Sequence, residues 1–103
     1  MNKQRRERIE KRKKLKEWGD KIKIRDGNKC VICNKVDRVN PHHIIPRKIK
    51  LTMFHIDNGI SLCPSHHKYN CILSAHKNPL AFFIWMELNR KEQLAKVKEM
   101  IWI

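Results

Sequence analysis

The sequence predicts a small α+β domain: a metal-stapled core of short strands, with a basic helix before it and helices after it. Three observations predict this. Two chelating pairs, Cys30-x-x-Cys33 and Cys63-x-x-His66, stand thirty residues apart with the same two-residue gap. Between them, short β-branched runs alternate with turn signals. Outside them, both ends of the chain carry apolar residues at helical spacing.

A length of 103 residues suits one domain, expected as a basic N-terminal arm or helix (1–26), a zinc-bound core (27–77) and a C-terminal helical segment (78–103). From Asn2 to about Asp26, Ile9, Leu15, Trp18, Ile22 and Ile24 are the apolar minority among Lys, Arg and Glu, the pattern of a helix with one weak stripe. Its first dozen residues hold almost no apolar side chain. Two readings stand for them: an arm that orders on a polyanion, or a solvated helix end. Asp26-Gly27-Asn28 stops the helix. Val36 to Ile45 reads as a strand entering a bend, with Pro41 holding Asn40 out of helical conformations. Lys48 to Phe54 reads as a short helix or a loop. Asp57-Asn58-Gly59 is a turn, and Ile60 to Leu62 a second strand. Pro64 opens a helix expected to run to about Ser74. Asn78-Pro79 repeats that start signal, and Leu80, Phe83, Ile84 and Leu88, then Leu94, Val97 and Ile101, continue as helix, broken near Asn89.

Lysine and arginine number 24 against 10 acidic residues, a net charge of +14 at pH 7, more than solubility requires and suited to a polyanion. Nucleic acid fits, since each neutralised phosphate releases counterions. A membrane fits less well, as no long apolar helix is visible. The charged N-terminus lacks the apolar region of a secretory signal, so a reducing cytoplasm is expected. There the cysteines read as zinc ligands rather than half of a disulfide framework.

Cys30, Cys33, Cys63 and His66 make a tetrahedral structural zinc site that closes a fold too small to hold itself. The alternative fourth ligand is Cys71, otherwise expected to pack as a small apolar side chain. A second cluster comprises His42 and His43, then Asn58, then His67. Adjacent residues on a strand point to opposite sides, so His42 and His43 cannot both face one ion; one binds metal and the other acts on water or substrate. His67, one residue past a zinc ligand, looks away from the zinc.

These residues resemble the HNH, or ββα-metal, nucleases over about Trp18 to Lys77. The resemblance rests on the cysteine pair, His42-His43-Ile44-Ile45-Pro46, Asp57-Asn58-Gly59-Ile60-Ser61-Leu62-Cys63 and His66-His67, with fourteen residues between His43 and Asn58 and eight between Asn58 and His67. It implies a small ββα-metal core: two antiparallel strands, a loop carrying the asparagine and a helix carrying the last histidine. It also implies a DNA phosphodiester hydrolase in which His43 is the general base, Asn58 orients it, and His42 and His67 hold a divalent ion, Mg²⁺, Mn²⁺ or another, against the scissile phosphate. The usual fourth zinc ligand of the family is a cysteine, where this chain has His66. Free-standing members occur near packaging genes, so the resemblance extends to a phage setting, a host cytoplasm and packaging proteins as partners.

Arg47 is a weak candidate for a phosphate contact, and His55 and His76 are expected on the surface or at caps. Phe82, Phe83, Trp85 and Met86 cannot all point inward, so one exposed aromatic is expected. The rival from another class is a non-catalytic zinc module that binds nucleic acid, which would hold one metal ion rather than two. A redox Cys-x-x-Cys protein fits poorly, for no βαβ pattern surrounds the pair.

Overall fold

The computed structural model describes residues 2–101; Met1, Trp102 and Ile103, at the tips of the expected 1–26 and 78–103 segments, lie outside the described residues. Helix α1 spans Lys3–Arg25. Asn2 caps it by accepting from the Arg5 N–H at 2.8 Å. Gly27, at φ 75°, ends it in the left-handed region, and Asn28 N–H turns back to the Lys23 carbonyl at 2.7 Å. Of its residues only Trp18, Gly19 and Ile22 are buried. Residues 3–14 are helical and exposed.

Strands β1 (Asn40–His43) and β2 (Gly59–Leu62) pair antiparallel, with Asn40 opposite Leu62, Pro41 opposite Ser61, His42 opposite Ile60 and His43 opposite Gly59. A 3₁₀ turn, Ile56–Asn58, precedes β2, and a π-helical turn, Ser65–Tyr69, follows it. Helices α2 (Pro79–Asn89) and α3 (Lys91–Ile101) complete the order, and the break at Arg90 falls beside the expected Asn89. Asn78 caps α2 by accepting from Ala81 N–H at 3.2 Å. Among the described residues no helix is long and apolar enough to cross a membrane.

Two elements are shorter than the sequence suggests. The first strand does not begin at Val36, because Asn34 and Arg38 take positive φ (65° and 50°) and fold that stretch into turns. The helix expected over 65–74 ends at Tyr69. Asn70 adopts an extended backbone, and its side chain accepts from Ile72 and Leu73 N–H at 2.8 and 3.0 Å, a local bond that competes with helix continuation. The chain then doubles back: Ala75 N–H reaches the His66 carbonyl and His76 N–H the His67 carbonyl, at 2.9 and 3.0 Å. Lys48 to Phe54 is a series of turns.

The core lies between the sheet and the C-terminal helices, where Cys30, Ile60, Leu62 and Cys63 meet Ala75, Phe82, Met86 and Leu94. Phe82 and Met86 are buried, while Phe83 is the exposed aromatic. α1 covers the other side of the sheet, placing Trp18 and Ile22 over Gly59. A polar clamp fixes α1 to both. Asp26, its side chain 1% exposed, takes Arg25 and Arg90 at 2.9 and 3.0 Å and accepts from Ser61 N–H at 2.9 Å. Burial alone would raise the Asp26 pKa; the bonds from Arg25, Ser61 and Arg90 outweigh it and hold the carboxyl below its ordinary value.

Candidate metal centre and active site

The loop after α1 and the end of β2 bring four soft or borderline donors together. Cys30, Cys33, Cys63 and His66 present ligand atoms that all lie within 4.8 Å of one another. Cys33 Sγ is 3.6 Å from Cys63 Sγ, and His66 Nδ1 is 3.4 Å from Cys63 Sγ and 3.8 Å from Cys30 Sγ. Two sulfurs bound to one tetrahedral zinc stand roughly 3.8 Å apart, so the donor set and its spacing fit zinc. Val31 N–H bonds to the Ser61 carbonyl at 3.1 Å, fixing the first knuckle to β2. Burial works to raise the Cys63 pKa, but N–H groups of His66 and Ser65 and the neighbouring thiols lower it, favouring the thiolate a metal needs. Cys71 lies outside the cluster and is exposed, so it is neither the fourth ligand nor the packed side chain expected of it; the early end of the helix turns it outward.

β1 sends its two histidines to opposite sides. His42 faces the C-terminal half, with its ring 5.0 Å from His67, 5.2 Å from His76 and edge-on to Phe82 at 5.7 Å. His42, His67 and His76 form a second group able to hold a metal ion. His67 Nε2 and His76 Nε2 are 3.1 Å apart. That separation lies between roughly 2.9 and 3.3 Å, the spans of two nitrogens bound at right angles or tetrahedrally to one ion. Burial first, then the charges of His67, His76 and His43, push the His42 pKa down to about 3. Burial, His76 and Lys68 bring His67 to about 4. Both imidazoles are therefore neutral at pH 7, the form that ligates metal. His76, expected to be a spare surface histidine, is the third member. The doubling back of residues 70–76 places it there, and the sequence signal was only its nearness to His67.

His43 turns toward α1. Its ring stacks on Trp18 at 3.9 Å with an interplanar angle of 11°, and its Nε2 lies 2.9 Å from the Met53 carbonyl. Burial lowers the His43 pKa, the Met53 carbonyl works against this, and the Arg47 charge adds to it. Trp18 is itself fixed, since its Nε1–H donates to the His55 carbonyl at 2.9 Å. His55 is a capping residue, with its Nδ1 accepting from Asp57 N–H at 3.2 Å.

Asn58 is fully buried, and its hydrogen bonds do not include His43. Its Oδ1 accepts from Ile45 N–H, and its Nδ2 donates to the Ile45 and Thr52 carbonyls at 3.2 and 3.1 Å. Its bond to Thr52 holds the residue next to Met53, whose carbonyl receives His43. Any influence of Asn58 on the orientation of His43 therefore runs through the Thr52–Met53 loop. Arg47 is exposed beside the site. Trp18 escaped sequence reasoning because an aromatic on a helix reads as core until its neighbour is known.

No curated protein and no solved structure matches the chain. A family described as HNH endonuclease matches residues 30–69, from Cys30 through Tyr69, with Trp18 and His76 outside the match. The match takes in Cys30, Cys33, Cys63 and His66 and the His42, His43, Asn58 and His67 positions, so this segment of the chain is similar to the HNH endonucleases.

Proposed function

We propose that the protein is a metal-dependent endonuclease acting as one domain on DNA phosphodiester bonds, with His43 as general base and a divalent ion at His42, His67 and His76. One observation carries the reading: β1 separates a trihistidine cluster from a fourth histidine whose Nε2 is committed to a backbone carbonyl. A carbonyl accepts only from N–H, so in the neutral ring the proton sits on Nε2 and the lone pair on Nδ1.

His43 Nδ1 then takes a proton from water, whose oxygen attacks the phosphorus as the bond to the leaving oxygen breaks. Trp18 and the Met53 carbonyl keep the ring from rotating out of line. The ion, when bound, offsets the charge that develops on the phosphate oxygens. His42, His67 and His76 would hold it, and a third imidazole makes the set softer than the oxygen ligands magnesium prefers, which favours a borderline transition ion. Basic residues of α1 supply the phosphate-backbone contacts.

The test is incubation of supercoiled plasmid with the protein and magnesium, manganese or zinc, with His43→Ala as control. Nicking or cutting by the wild type alone supports the reading. Equally intact plasmid with both proteins across these metals defeats it.

A further inference from the structure

The exposed half of α1 is not uniformly basic. Side chains three or four residues apart are neighbours on a helix. Between Lys3 and Lys14, each of Lys3, Arg6, Lys11, Lys13 and Lys14 has Glu7, Glu10 or Glu17 at such a spacing. Arg5, Arg8 and Arg12 have no acidic residue at either spacing, and among the described residues none of the three forms an ion pair. Their own spacing puts all three on one stripe, and they line a common hollow with Ile9. Arg8 also borders the adjoining groove toward Phe54, where Glu7 and Glu10 stand beside the lysines, whereas Arg5 and Arg12 do not. One further heptad along the stripe stands Gly19, packed so closely on Pro41 that a Cβ there would lie 3.0 Å from the proline ring. Pro41 precedes His42 and His43 on β1.

We propose that Arg5, Arg8 and Arg12 form a phosphate rail that seats duplex DNA on one face of α1 and leads it to β1. The proposal rests on the nucleic-acid reading above for its ligand. Arg5 to Arg12 spans two helical turns, about 10.5 Å of rise, or roughly three base-pair rises at 3.4 Å each. A straight, rigid stripe of this length suits a stiff duplex wall. Arginine suits phosphate, because its planar fork makes two parallel hydrogen bonds. The carboxylates of Glu7, Glu10 and Glu17 lie off the stripe, so the helix has one orientation in which it meets a polyanion without like-charge contact. Trp18 places the same helix against His43, so the rail and the base engage one stretch of duplex.

The test is binding of the full-length His43→Ala protein to a fluorescent 20-base-pair duplex, followed by anisotropy from low to high salt. A second protein adds Arg5→Gln, Arg8→Gln and Arg12→Gln, and a third adds Lys11→Gln, Lys13→Gln and Lys14→Gln, so charge removed and helix propensity are matched. The slope of log affinity against log salt should fall by about 2.7 for the arginine set, three contacts at roughly 0.9 each, and by less than about one for the lysine set. Equal changes in the two sets, no change in either, or equal affinity for a single strand of the same length would overturn the rail. Because binding is read on a protein without its base, the result does not depend on cleavage. The expected slope difference together with a wild type that cuts nothing would sink the enzyme reading and leave the rail.

Discussion

Gly59 pairs with His43 across the sheet and lies under α1. A Cβ there would sit 2.5 Å from Ile22 Cδ1, 2.6 Å from Trp18 Cζ2 and 2.7 Å from Ile22 Cγ1. Its φ of −135° suits any residue, so the effect of Gly59→Ala comes from crowding alone. Ile22 is 0% exposed and Trp18 4%, with the indole held by its bond to the His55 carbonyl. Both side chains are enclosed by protein, so the added Cβ pushes against α1. Overpacking of this kind costs about 1–3 kcal/mol. Three contacts on two fixed side chains place Gly59→Ala in the upper half of that range. Urea titration of the zinc-loaded protein measures it. Melting falls by roughly 4–8 °C per kcal/mol in a domain this size. Lifting α1 also slides Trp18 off the His43 ring, and a displacement near 1 Å at a reacting group costs about 100-fold in rate. Nicking should therefore fall more than stability explains when both are measured where the variant is folded. In an Ile22→Ala background two of the three clashes are gone, and the added cost of Gly59→Ala should shrink by about 1 kcal/mol. An unchanged urea midpoint for Gly59→Ala, or the same cost in both backgrounds, would refute the packing argument.

Asp26→Ala leaves Arg25, Arg90 and the Ser61 N–H without their shared acceptor and should destabilise by about 3–5 kcal/mol in urea titration. Because the folded-state pKa of Asp26 is held below its ordinary 3.8, the stabilisation of the wild type is complete above that pH and is lost as pH falls through the lower folded value. The variant should lack that acid dependence. His76→Ala should weaken binding of a second metal ion by at least roughly tenfold in calorimetry, while the zinc content by atomic absorption stays at one per chain; an unchanged second affinity would remove His76 from the site. Chelation of zinc or Cys33→Ser should abolish the cooperative melt, because structural zinc contributes about 10 kcal/mol or more in comparable small sites, whereas Cys71→Ser should leave melting within about 0.5 kcal/mol of wild type.

The convergence of Cys30, Cys33, Cys63 and His66 was legible in the sequence because the spacing within each pair is local: a two-residue gap decides the knuckle whatever the rest of the chain does. The split between His42 and His43 was legible for a similar reason, since strand alternation is a property of the backbone. What spacing left hidden depends on chain reversals. His76 joins His42 and His67 only because Asn70 stops the helix and the next six residues fold back onto it. Asn58 looked like a partner of the base from its place in the motif, yet its amide is consumed by the Ile45 and Thr52 backbone. A buried amide this well satisfied holds a loop, and the loop in turn presents the Met53 carbonyl. Trp18 and Asp26 each act across more than 20 residues of sequence, on His43 and on Ser61 and Arg90, and no local pattern encodes such pairings.

The two candidate metal sites share one short turn. His67 N–H bonds to the Cys63 carbonyl at 2.9 Å, and Asn70 N–H closes a wider, five-residue loop onto Ser65 at 2.8 Å. A turn this short has no α-helical ladder to keep its shape, so a bond from His66 to a zinc ion would hold it. His66 and His67 are consecutive yet serve opposite sides, one the zinc and the other the trihistidine cluster. The same turn offers the His66 and His67 carbonyls to Ala75 and His76, so the loop that delivers the third imidazole hangs from it as well. Loss of zinc therefore releases two of the three imidazoles together, and the second ion should dissociate at chelator concentrations that remove the first. A protein that kept its second ion after losing zinc would show that α2, through Phe82 against His42, is enough to organise the site.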